Sequence, residues 1–180
     1  MSIRTAFILA AVAAAAFAAD PAPRQSPPFI IQSGSGEIPL AKFHGKIVAL
    51  IFVHTTCPHC QDLTRLIDPV AREYTPKGVQ FIECAFNQDA AKLVPDFIAQ
   101  FKQPYPVGWA NDAAVRLYLG YALFDQRPMY VPHMVFLDRK GFIRGDYPGE
   151  SPFFQNPPAN IRAELDKLLK ASPATTAKKK

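Results

Sequence analysis

Cys57 and Cys60 stand three residues apart in Thr56-Cys57-Pro58-His59-Cys60. Residues at that spacing on a helix lie about 5–6 Å apart, inside the roughly 4.4–6.8 Å range that a disulfide bridges. Such a pair can open and close without moving a fold. A structural bridge would usually close a longer loop, where the chain-entropy gain is larger. Tetrahedral zinc needs four ligands, and the sequence offers one further cysteine, Cys84, and neither a second pair nor His-x-x-x-His. The pattern points to redox chemistry. Two thiolates also suit linear or trigonal Cu(I), with His133 as a third ligand, and that reading stays open.

The pair must sit where a strand hands over to a helix. Ile47 to Val53 (IVALIFV) has the β-branched, apolar content of a buried strand. After the pair, Leu63, Leu66, Ile67, Val70 and Tyr74 recur at helical spacing. Cys57 is then expected at the helix N-terminus, where unpaired N–H groups and the macrodipole favour a thiolate. Cys60 lies one turn further in. Pro69 falls inside the helix, removes one backbone donor and predicts a kink.

The remaining pattern alternates. Val79 to Phe86 (VQFIECAF) reads as a second strand, and Asn87 or Asp89 as the cap of a helix from Ala90 to about Gln103. Pro104 to Trp109 is extended, and a capped helix from Asn111 to Leu119 closes at Gly120. His133 to Leu137 and Phe142 to Tyr147, joined by Asp138-Arg139-Lys140-Gly141, form an antiparallel hairpin. Gly149 to Pro158 is a loop before a last amphipathic helix, Ala159 to Lys170. Phe29 to Ile31 and Glu37 to Leu40 make a short hairpin or edge strand. The fold class expected is α/β, one mixed sheet with helices on both faces.

The 180 residues suffice for one domain. Residues 1–19 read as a signal peptide: Arg4, an apolar run from Ala6 to Ala16, then Ala16-Phe17-Ala18 as a cleavage pattern. Residues 20–28 are proline-rich and read as a linker, 29–170 as the domain, and 171–180 as a disordered basic tail. A periplasmic or secreted location follows, where a Cys-x-x-Cys pair oxidises unless something reduces it. The net charge of +5 owes much to Arg4 and Lys178 to Lys180, and the body is nearly neutral. No nucleic-acid surface is expected.

The order of parts resembles the thioredoxin-fold oxidoreductases, in particular the exported TlpA/ResA-like branch. The resemblance runs from about Phe29 to Lys170. It is carried by Gly45-Lys46, the strand into Cys-x-x-Cys, the helix with Pro69, the x-Pro before a strand, and the Leu-Asp-Arg-Lys-Gly turn. The dipeptide Pro58-His59 is similar to that of the DsbA group of disulfide-forming oxidants. The resemblance implies that Cys57 is the nucleophile and Cys60 the buried resolving cysteine. It implies that Pro132 is a cis-proline opposite the pair, leaving Val131 to pair with an extended substrate. His59 is expected to stabilise the Cys57 thiolate. Cysteine-containing proteins are the implied substrates, with a recycling partner that in reductases of this scaffold works through the membrane. No cofactor is implied.

The chain departs from its relatives. Many carry a buried carboxylate six residues before the first cysteine, where this chain has Ile51. Others carry a glutamate three residues after the second, where it has Leu63, and thioredoxins carry tryptophan at Thr56. The proton acceptor for Cys60 is thus unnamed. Peroxiredoxins carry threonine and proline at the positions of His54 and Leu50, which speaks against a peroxidase. Cys84 reads as a packed thiol. His133 either faces the pair or turns away by strand alternation, and His54 reads as a strand-end histidine. Trp109 and the phenylalanines read as core, with Phe124 the exception.

Overall fold

The computed structural model describes residues 22–122 and 124–171. The expected leader at 1–19 and the tail beyond residue 171 lie outside them. Eight strands form one sheet: β1 (Arg24–Gln25), β2 (Ile30–Ser33), β3 (Gly36–Pro39), β4 (Ile47–Val53), β5 (Val79–Ala85), β6 (Val107–Trp109), β7 (His133–Leu137) and β8 (Phe142–Tyr147). The helices are α1 (Pro58–Tyr74), α2 (Ala90–Phe101), α3 (Asp112–Tyr118) and α4 (Pro157–Ala171). The strand order is β1-β8-β7-β4-β5-β6-β2-β3. β4 runs parallel to β5 and antiparallel to β7, so the sheet is mixed, as its alternating strands and helices predict.

β4 is central because every one of its residues is apolar and buried. Alternation divides them between two cores. Ile47, Ala49, Ile51 and Val53 pack with α1, α2 and α4 on one face. Val48, Leu50 and Phe52 pack with α3 and the N-terminal hairpin on the other. A fully buried side chain of this size contributes about 1.5–3 kcal/mol, so both faces of β4 anchor the sheet. Gly108 in β6 lets β2 cross closely, since a Cβ there would stand 2.2 Å from the Gln32 carbonyl oxygen.

Two expectations are corrected. Part of the segment read as a linker is structured: β1 pairs with β8, and Arg24 Nη2 bonds Asp146 Oδ2 at 2.8 Å. Prolines are compatible with this because an edge strand leaves half its donors unpaired. On α1 the buried stripe is Cys60, Leu63, Thr64, Ile67, Val70, Ala71 and Tyr74, and Leu66 is 43% exposed. Helix phase overrides hydrophobicity there, because Leu66 lies off the three-and-four repeat that starts at Cys60. The helix continues through Pro69 to Tyr74.

Candidate active site

Cys57 is the N-cap of α1, with extended backbone at φ −82° and ψ 119°, and Pro58 opens the first turn. Proline suits that position, since its missing N–H would have no helical partner. The backbone N–H of Cys60 points at Cys57 Sγ, 3.4 Å away. Cys57 is half-buried, Pro58 and His59 are exposed, and Cys60 is fully buried beneath them. The two thiols are not bonded to each other. Burial, and then its hydrogen bond with Cys57, push the Cys60 thiol pKa up. An outer thiol at a helix N-terminus over an inner, shielded one is an arrangement for sequential exchange.

The loop entering α1 is braced from β5. Thr55 N–H donates to Asn87 Oδ1 at 2.9 Å, and Asn87 Nδ2 returns a bond to Thr55 Oγ1 at 3.1 Å. Gln61 Nε2 donates to the Thr55 carbonyl at 2.8 Å. Asn87 therefore holds the cysteine loop, and α2 starts after Asp89, whose side chain makes no cap.

The Val131–Pro132 peptide bond is cis. His59, Leu66, Val131, Pro132, Gly149 and Phe154 line a groove of about 440 Å³ beside the cysteines. Gly149 N–H donates to the Tyr130 carbonyl at 3.2 Å. A Cβ on Gly149 would come within 3.0–3.1 Å of the Tyr130 and Val131 backbone, so glycine lets this loop approach.

His133 is not brought to the cysteines. It registers with Phe52 on the opposite face, packs edge-on to that ring and meets Asp146 Oδ1 at 2.6 Å. Burial works to raise the Asp146 pKa, but its bonds and charges with His133 and Arg24 prevail and lower it. His133 thus serves the fold, and the three-ligand Cu(I) arrangement loses its third member. Cys84 also turns to that face, registering with Phe52, and is buried. Burial, then the neighbouring Glu83, push its thiol pKa up. His54 packs against Phe86 at 4.4 Å, and burial lowers its pKa. Phe124 is 90% exposed.

The site also holds a residue that the sequence reading passed over. Glu83 is fully buried on β5, in register with Ile51, and so on the α1 face. The position six before Cys57 is apolar, yet a carboxylate stands one strand away, about 4.8 Å across the sheet. Its Oε1 accepts from Thr64 Oγ1 at 2.6 Å and its Oε2 from Gln103 Nε2 at 3.2 Å. Burial pushes its pKa up to about 7, against the lowering effect of these bonds. A charged residue two after Phe81, and so on a strand face that is otherwise apolar (Val79, Phe81, Ala85), was the available signal.

A group with a pKa raised on folding stabilises the fold fully below its unfolded value. That contribution is lost as pH rises through the folded value. Glu83 should therefore cost stability between about pH 4.5 and 7. The unfolding free energy of the native protein minus that of Glu83→Gln should fall across this window. A flat difference would show that Glu83 does not titrate there.

A family model described as Redoxin matches residues 18–161. No curated protein matches the chain. Among solved structures, a thiol:disulfide interchange protein of the thioredoxin family from Chlorobium tepidum is 23% identical. It aligns over 82% of this chain and 99% of its own at TM-score 0.64. A candidate thioredoxin from Neisseria meningitidis is 24% identical over 83% and 93%, at TM-score 0.66. A candidate thiol-disulfide oxidoreductase from Bacteroides vulgatus is 19% identical over 84% and 100%, at TM-score 0.67. Likeness at these identities shows a shared, thioredoxin-like fold.

Proposed function

The chain belongs to the Redoxin family, and from that premise we propose that it is an exported thiol–disulfide oxidoreductase acting on cysteine-containing proteins. The observation that carries the reading is the pair at the head of α1: Cys57 half-buried at the N-cap, Cys60 buried one turn in. Cys57 attacks, or is attacked by, a substrate sulfur. When Cys57 attacks, Cys60 then resolves the mixed disulfide from inside; when Cys57 is attacked, Cys60 leaves as the thiolate and the mixed disulfide stays on Cys57. Val131 and Pro132 line the groove in which an extended substrate segment lies, with His59 at its rim. Export rests on the leader pattern at 1–19. Among the described residues, no helix is long and apolar enough to cross a membrane.

The direction we propose is oxidising. An oxidant is made by stabilising its reduced form. Here the Cys60 N–H on Cys57 Sγ and the start of α1 favour the outer thiolate, with the His59 dipole beside them. The apolar residue at position 51 carries no weight for the direction, because the Glu83 carboxyl stands beside it. The reading rests on the cap and on His59. The oxidised protein should transfer its disulfide to a reduced, unfolded model protein in a single turnover. His59→Pro should make the couple more reducing by tens of millivolts, where about 30 mV is 1.4 kcal/mol. Transfer that runs instead from the reduced protein to an oxidised substrate, with no effect of His59→Pro, would make it a dedicated reductase.

A further inference from the structure

Resolution of a mixed disulfide requires Cys60 to lose its proton, and Cys60 has no solvent exposure. A base inside the protein must take that proton. Glu83 lies under the same turn of α1, and its carboxylate is among the groups that act on the Cys60 thiol. Thr64, one turn after Cys60, links the two. Its hydroxyl is 3.0 Å from the Cys60 carbonyl oxygen and 2.6 Å from Glu83 Oε1. One hydroxyl proton serves one acceptor at a time. When Glu83 is ionised, Thr64 donates to the carboxylate. When Glu83 is protonated, the carboxyl O–H donates to Thr64, whose own proton turns to the Cys60 carbonyl.

Among the described residues, no group of opposite charge partners this carboxylate. Thr64, Gln103 and Tyr105 act on it, all neutral. The buried Tyr105 hydroxyl faces the carboxylate and adds to the lowering effect of Thr64 and Gln103. The titratable groups facing Glu83 are Cys60 from α1 and Tyr105 from the α2–β6 connection, with Asp68 of α1 acting on Tyr105. Ile51 of β4 and Val107 of β6 register beside it and are apolar. Cys84 follows it on β5 and turns to the other face.

We propose that Glu83 accepts the Cys60 proton as Cys60 attacks the Cys57 mixed disulfide, and returns it when the step runs backwards. The inference rests on the exchange reaction proposed above. In this resolving step, the reverse of the one by which the oxidised protein gives up its disulfide, the Cys60 S–H proton moves to the Glu83 carboxylate. The Cys60 sulfur then bonds Cys57 Sγ, the Cys57–substrate S–S bond breaks, and the substrate sulfur leaves as a thiolate. In this step Cys60 is oxidised and the substrate sulfur is reduced, while Cys57, already oxidised in the mixed disulfide, only changes partner. An acid that titrates near neutrality suits both directions.

Stopped-flow reaction of the reduced full-length protein with 5,5′-dithiobis(2-nitrobenzoate) separates the steps. The first nitrothiobenzoate release reports Cys57 and the second reports Cys60. The second release should rise with pH through an inflection near neutrality. In Glu83→Gln that inflection should vanish, and the second release at pH 7 should be at least tenfold slower relative to the first. An unchanged profile and ratio would overturn the proposal. Should Glu83→Gln fail to fold, Thr64→Val decides. Removing the hydroxyl donor should move the inflection to higher pH, and an unmoved inflection would overturn it. Absence of any first release would instead contradict the exchange reading itself.

Discussion

Cys57→Ser abolishes exchange, leaving no more than the uncatalysed rate, whereas Cys60→Ser retains the first chemical step and stalls. The asymmetry follows from geometry. Cys57 is reachable and caps α1, while Cys60 is closed to solvent and reaches only the sulfur above it. With serine at 60, nothing inside resolves the mixed disulfide, and covalent adducts with substrate proteins should accumulate. Non-reducing electrophoresis and intact mass measure this directly. Cys84→Ser should leave exchange nearly unchanged, since its thiol is buried on the opposite face of the sheet. Most of the activity surviving in Cys57→Ser would exchange the two roles.

Phe52→Ala should cost about 3–5 kcal/mol, the usual range for truncating a buried phenylalanine. Its ring has no exposure and sits among Phe29 at 5.7 Å, Tyr118 at 5.7 Å, Phe86 at 6.4 Å and the His133 ring at 6.4 Å. Little there can collapse into the space, because the neighbours come from separate segments: the residue before β2, the residue after β5, β7 and α3. Set against a total stability of about 5–15 kcal/mol, the loss lowers the melting temperature by roughly 10 °C. Thermal or denaturant unfolding reads it out. The variant damages the face opposite the cysteines, so exchange per folded molecule should persist below the transition. An unchanged melting temperature would mean that this core is not as packed.

Much of the architecture was legible because the strongest signals were local. The bounds of β4, β7 and β8 follow from apolar runs closed by turn residues, and the cysteine spacing with the strand before it placed the site. Four features were not legible, for different reasons. β1 depends on a long-range partner, Asp146, that no local pattern announces. Leu66 looked like core by its type, but the helix phase set by Cys60 put Thr64 inside in its place. Asn87 has the chemistry of a cap, yet its side chain spends its bonds on Thr55. Glu83 needed the strand order: only with β4 and β5 parallel and in register does it become the neighbour of Ile51. The strand before the cysteines therefore bears no mark of the carboxylate one strand away.

The reversible Cys57–Cys60 couple is the centre of this account, and redox equilibration with glutathione tests it most directly. The full-length protein is equilibrated across glutathione ratios, its thiols are trapped, and intact mass and peptide mapping follow each cysteine. The account predicts one two-electron transition that joins Cys57 to Cys60 while Cys84 stays a thiol throughout. Its potential should lie nearer the roughly −120 to −180 mV of DsbA and protein disulfide isomerase than the roughly −270 mV of thioredoxin. A potential at thioredoxin's value would reverse the proposed direction and leave the chemistry intact. A pair that never equilibrates, or a disulfide that draws in Cys84, would contradict the account itself.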